Sequence, residues 1–392
     1  ATNAKVNLNI DVDGIDPIAV AFSGTPNTGN YDFENGGFEG AWSNNEPAGW
    51  HSFGSATGAM NDFVLKNVHQ FIPSQEVRPW SNGKQSALIS STKILEVPAN
   101  GNCTNGQINA GSYSAADVTK NYNFSDPANE GFNTPFYGRP DSIVFWAKYI
   151  PADRDVKNEV NKARMSTIIT TDARYQDPED GDLYADVKIA KAEINYAATA
   201  DLGWQRISTP FLYNEATAES KPAYVLTTFT TNMLQGGGSS YTDFSASRNI
   251  MDSVYLDDVE MIYNKALTML VRNEEPVGYK DGAFSVEETY CDSCDLYSAM
   301  TNGISTQTFF AFDEAHRCVF VYVIADDYSR SIDYSLYRVE FTDSDTKGLV
   351  DPTEAIENVA LRDARFEKVL YNGELYIRSG EVWFNASGKR IK

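Results

Sequence analysis

Asp252-Ser253-Val254-Tyr255-Leu256-Asp257-Asp258-Val259-Glu260-Met261-Ile262-Tyr263 alternates apolar and polar side chains and is interrupted once, by a pair of acids. A period of two puts one row of side chains on each face of a strand, so the stretch reads as the closing strand of a β-sandwich. Far upstream, Tyr31-Asp32-Phe33-Glu34-Asn35-Gly36-Gly37-Phe38-Glu39-Gly40-Ala41-Trp42 reads as an opening strand and turn. The two are expected to pair and to bracket one large domain, residues 30–264.

Between them, short apolar or alternating runs are separated by Gly, Asn, Pro and Asp clusters, and a sustained helical period is nearly absent. That pattern predicts an all-β sandwich. Strands are expected near 86–90, 107–111, 141–149, 165–170, 185–196, 204–211, 223–232 and 253–263. The segments 53–83 and 112–140 exceed ordinary connections and read as binding loops or covers. Upstream, residues 1–29 hold an alternating strand, 5–13, and a Pro/Gly/Asn-rich connector. Downstream, 265–343 has the size and strand pattern of an Ig-like β-sandwich. Residues 344–392 give a polar linker, a short helix at 352–360 and a β-hairpin tail, where Asn372-Gly373 is a strong hairpin signal.

The net charge of −22 sets the chain against a phosphate backbone, and Lys and Arg are scattered singly, so nucleic acid is excluded as a partner. The apolar runs are strand-length, short of a bilayer-crossing helix. The chain begins Ala1-Thr2-Asn3-Ala4 without Met, which reads as a leader removed from an exported protein. With 22 Tyr, 21 Phe and 6 Trp, aromatic rings exceed what a core alone requires and leave some for sugar stacking.

Five ordered blocks carry a resemblance: Pro47-Ala48-Gly49-Trp50-His51-Ser52-Phe53, Gly106-Gln107-Ile108-Asn109-Ala110-Gly111, residues 138–149 (Gly138-Arg139-Pro140-Asp141 and on to Tyr149), Gly203-Trp204-Gln205-Arg206-Ile207, and Val254-Tyr255-Leu256-Asp257-Asp258. Together they resemble the "putative carbohydrate metabolism domain" family. The resemblance implies a galactose-binding-like jelly roll on a surface or periplasmic lipoprotein, lipid-anchored through a segment outside this chain. It also implies service in glycan uptake alongside an outer-membrane complex. The second module resembles bacterial Ig-like spacers.

Related jelly rolls hold a structural calcium where the opening and closing strands converge. The resemblance therefore names Glu39 and Asp257 as ligands of a structural calcium, helped by carbonyls of Asn35-Gly36-Gly37. A hydrogen-bonded or solvated carboxylate is the plainer reading. Cys291-Asp292-Ser293-Cys294 with His316-Arg317-Cys318 is nominally a zinc set at unfamiliar spacing. A disulfide from Cys318 to Cys291 or Cys294, or free thiols, is the expectation, with Cys103 left over.

Sugar recognition needs a flat ring and planar polar groups together. Trp80 with Arg78 and Asn82 supplies them in one long loop, and Tyr122, Tyr137 and Arg139 supply them in the other. Trp80 reads either as a platform for a pyranose or as a lid on the sandwich end. Trp42, Trp50, Trp146, Trp204 and His51 are expected in the core. No catalytic residue is nominated, since no triad, H-E-x-x-H or phosphate loop is present. The leading reading is a non-catalytic glycan-binding protein supporting polysaccharide utilisation. The alternatives are a glycoside hydrolase using a carboxylate pair and a structural or adhesive surface protein.

Overall fold

The computed structural model describes residues 33–43, 46–60, 70–94, 97–114, 117–152, 157, 159, 161–233, 251–280, 282–291, 295–325 and 334–346, with the backbone alone at 93–94, 97–98, 366–371, 374–379 and 382–385. Their named elements are strands and short 3-10 turns, so the fold is all-β as the alternation predicted. The strand at 5–13, the connector at 25–30 and the helix at 352–360 fall outside the described residues. The described chain divides into two compact units at Ile262/Tyr263.

The larger unit is a sandwich of two five-stranded antiparallel sheets. In the first, Gln205–Pro210, Ser142–Ile150, Ser253–Ile262, Ser86–Ser90 and Phe71–Ser74 lie side by side in that order. In the second the order is Leu212–Tyr213, Lys188–Ala197, Lys162–Thr170, Tyr224–Thr230 and Asn102–Thr104. Their inner faces meet through aromatic rings: Phe145 lies 5.5 Å from Tyr196 and 5.1 Å from Phe229. Trp50, wholly buried, extends this cluster to Phe33 and Phe38, as expected of a core residue.

The two outer faces differ. A third, three-stranded sheet of Tyr175–Asp177, Asn121–Ser125 and Gln107–Ala110 covers the second sheet. Ile168, Tyr175, Tyr184 and Leu226 pack together beneath it. Arg164 donates two 3.0 Å hydrogen bonds to the buried Asp177 there and a third, of 2.6 Å, to Glu193. With both faces buried, Lys162–Thr170 loses its alternation of burial, whereas Ser142–Ile150 keeps it beyond Phe145 because its outer side is open.

The opening and closing strands do not pair. Ser253–Ile262 is hydrogen-bonded to Ser142–Ile150 and Ser86–Ser90. The described part of the opening segment is a turn, closed by Phe38 N donating to Asn35 O at 3.0 Å. That turn docks on a β-bulge. Val144 opposes Glu260 while Trp146 opposes Asp257, so Asp258 and Val259 together face Phe145 alone, and Asp258 takes φ 45°. Val259 N donates to Gly36 O at 2.9 Å, and a Cβ on Gly36 would stand 2.4 Å from Val259 O. Only glycine permits that approach.

In the second unit, Leu267–Arg272 lies between Glu275–Pro276 and Tyr297–Thr301. A five-stranded sheet follows, with Ala283–Val286 running parallel to Tyr334–Phe341. Leu267, Leu270, Phe284, Val319, Val321, Val323, Val339 and Phe341 form its core, the two-sheet packing expected of a small sandwich. Phe366–Tyr371, Glu374–Ser379 and Val382–Asn385 make the expected antiparallel tail. The expected disulfide to Cys318 is corrected: Cys318 is buried and free, while Cys291 is disulfide-bonded to another partner, and Cys103 is free as expected. His316 hydrogen-bonds Asp313 through Nδ1 at 2.7 Å, and among the described residues no group of three or more His, Cys, Asp or Glu could hold a metal ion.

Candidate functional site

The loop between Phe71–Ser74 and Ser86–Ser90 folds over the outer face of the first sheet and is staked at several points. Arg78 is the main one. Its Nε and Nη2 reach Asp258 Oδ2, its Nη1 donates to Pro79 O at 2.9 Å, and the guanidinium lies 5.1 Å from the Trp146 ring centre. Asp258 is available to Arg78 because the bulge turns it outward. At the loop's far end Glu39 Oε1 accepts from Lys84 N at 2.7 Å and Gln85 N at 3.1 Å. Gln85 Nε2 donates to Phe38 O and Gly40 O. Ser86 Oγ donates to Glu76 O, while the Glu76 carboxylate pairs with Lys148 on the sheet.

Between the stakes, Ser81 N donates to Arg78 O at 3.2 Å, closing a turn with Pro79 and Trp80 at its tip. Trp80 sits at φ 58° and is 87% exposed. A left-handed conformation is costly for a bulky side chain. The ring is not repaid by burial, so the lid reading is overturned. Asn82 beside it is also exposed. Trp80, Arg78 and Asn82 thus come together as expected, although Arg78 is committed to Asp258 and acts as the loop's anchor.

Beneath the loop lies Asp257, 1% exposed. Its Oδ1 accepts the Asp258 N–H at 2.9 Å and its Oδ2 accepts no hydrogen bond. Burial, reinforced by the neighbouring Asp258 charge, pushes its pKa up to about 7 against the opposing pull of Arg78. An acid roofed in this way has no path to a glycosidic oxygen, so this carboxylate pair does not serve the hydrolase reading. The calcium expectation meets the same geometry. Glu39 is exposed and its Oε1 is taken by backbone N–H groups, and the positive charge beside the acids is Arg78. Among the described residues no group of three or more His, Cys, Asp or Glu could hold a metal ion.

The second expected cluster lies apart from Trp80. Tyr122 is on the covering sheet, its ring 5.3 Å from the Arg174 guanidinium, which also donates to its hydroxyl. Arg139 donates to Ala218 O and Ser220 O and lies over Tyr213, so it ties a loop together. Tyr137 is 56% exposed but has no planar donor supplied by Arg139. These residues do not converge on one site with Trp80.

Trp146 and Trp204, expected in the core, stand half-buried on the open face, with Trp204 6.2 Å from Tyr255. Tyr255 and Lys148 were missed altogether. Their even-numbered or odd-numbered positions were legible, but the sequence carried no sign of which outer face stays uncovered.

No known family matches the chain, and no curated protein does. Among solved structures it is similar to a chain described as a "putative glycoside hydrolase" from Bacteroides thetaiotaomicron, at 15% identity and a TM-score of 0.38, over 55% of this chain and 63% of that one. A likeness of that strength says nothing of what this chain binds. No helix among the described residues is long and apolar enough to cross a membrane.

Proposed function

We propose that this chain is a non-catalytic glycan-binding protein of the cell surface or periplasm, acting in polysaccharide utilisation. The observation that carries the reading is Trp80, held out in solvent at 87% exposure and at positive φ by a loop anchored through Arg78. An exposed, preorganised indole loses little freedom when a pyranose stacks on it, and Asn82 beside it supplies an amide for hydroxyls. Neutral sugars suit a chain whose charge of −22 repels polyanions. A glycan array, with incubation of each hit and assay for new reducing ends, tests the reading. Binding without product is expected. Product release would make the protein a hydrolase, and silence across the array would leave a structural or adhesive role.

A further inference from the structure

The open face of the first sheet carries a single apolar rung from edge to edge. In register, Lys148 stands opposite Tyr255, Tyr255 opposite Leu88 and Leu88 opposite Ile72. Trp204 directly precedes Gln205, which pairs with Ala147, so it continues the rung beyond Lys148. Trp204, Tyr255 and Leu88 are half-buried and Ile72 is 38% exposed, on the side of the sheet where solvent normally selects polar residues. With adjacent strands about 4.8 Å apart, the rung runs about 19 Å across five strands.

Its width and charge restrict the occupant. On one side it is flanked by Ile150, Ser253 and Ser90, and on the other by Trp146, Asp257 and Ser86, where the Arg78 guanidinium of the Trp80 loop lies against Trp146. A rung of five residues, widened only by Trp146 and Ile150, falls far short of the roughly 800 Å² each partner gives to a stable protein interface. The charges on it are matched: the Lys148 ammonium lies 5.3 Å above the Tyr255 ring and pairs with Glu76 of the loop. Ammonium and carboxylate together can donate to and accept from neighbouring hydroxyls while leaving no net charge.

We infer that this rung is the floor for a linear, uncharged oligosaccharide lying across the strands. The chain spans about four sugar units, stacks on Trp204, Tyr255, Leu88 and Ile72, and is read at its hydroxyls by Lys148 and Glu76. The inference rests on the glycan-binding reading and extends it from one ring at Trp80 to a full cleft. Titration calorimetry with neutral gluco-, manno- and xylo-oligosaccharides from disaccharide to hexasaccharide tests it, with the oligogalacturonates as charged controls.

Affinity is expected to rise with length and level off near the tetrasaccharide. Ile72→Ser and Lys148→Ala, both at solvent-accessible positions, are expected to weaken the tetrasaccharide by about tenfold each and the disaccharide much less. Melting temperatures of both variants confirm folding. If length has no effect, or if both variants bind the tetrasaccharide as the parent does while Trp80→Ala loses binding, the rung is not a floor and the Trp80 reading survives. A preference for the oligogalacturonates overturns the uncharged ligand and points to the exposed Arg206 on the next rung. If the parent binds no member of the series, both readings fall.

Discussion

Replacing Asp257 by asparagine should flatten the dependence of stability on pH. The native carboxyl, 1% exposed and with Oδ2 accepting no hydrogen bond, has its pKa raised from 3.8 to about 7. Because the folded state holds this proton more tightly than the unfolded chain does, the stabilisation from protonation is fully present below about pH 4. It is lost as pH rises through about 7. The shift of 3.2, from 7 less 3.8, sets a ceiling of about 4 kcal/mol at 1.36 kcal/mol per unit, and relaxation of the loop reduces it to roughly 2 kcal/mol. Asparagine has the shape of the protonated acid and no charge to bury. Urea unfolding of parent and Asp257→Asn from pH 5 to pH 8.5, in chelator, gives the difference free of every group they share. The variant should gain on the parent progressively from pH 5 and level off above about pH 7, by roughly 2 kcal/mol in all. A constant difference across the range, or a parent that gains on the variant as pH rises, would refute the argument that the burial of Asp257 outweighs the pull of Arg78.

Four further outcomes follow from the same geometry. Chelation tests the calcium proposal for Glu39 and Asp257: the melting temperature should not move, since Arg78 already supplies the local positive charge, and a fall would show a metal bound to the folded state. Trp80→Gly should leave stability unchanged or raise it by about 1 kcal/mol by relieving the positive φ, while lowering glycan affinity about tenfold; a loss of stability would restore the lid. Gly36→Ala should cost about 2 kcal/mol by driving the turn off the Val259 carbonyl, seen as a lowered urea midpoint. Arg164→Met strands the buried Asp177 without its bidentate partner and should cost about 3 kcal/mol or more, read as a lowered urea midpoint; an unchanged midpoint would refute the role of the ion pair.

Strand existence was legible because burial on one side imposes a period of two, and each strand expected between 86 and 263 is present within a few residues. Among those that escaped were the short strands Phe71–Ser74, Asn102–Thr104, Asn121–Ser125 and Tyr175–Asp177. They have three to five residues each, too few for periodicity to show, and two of them are Asn-rich. The expected pairing of opening and closing segments failed for a different reason. Asn35-Gly36-Gly37 does meet the acid pair, but it does so as a turn seated on a bulge, and a bulge leaves no mark in the spacing of apolar residues.

The candidate site divides along the same line. Trp80 stood out in the sequence because it lies in a loop, where an indole has no packing role to fill. Trp146, Trp204 and Tyr255 were unreadable because alternation tells which side chains share a face and not what covers that face. On the second sheet the outward row of Arg164, Ser166, Ile168 and Thr170 is sealed by the covering sheet, and the residues there serve packing and a buried ion pair. On the first sheet the equivalent row is Trp146 and Lys148 with their cross-strand partners, and among the described residues only the staked loop lies over part of it. The same aromatic composition is therefore structural on one side of the sandwich and available to a ligand on the other. What decides between them is the placement of a three-stranded sheet, two of whose strands, Asn121–Ser125 and Tyr175–Asp177, looked like loop.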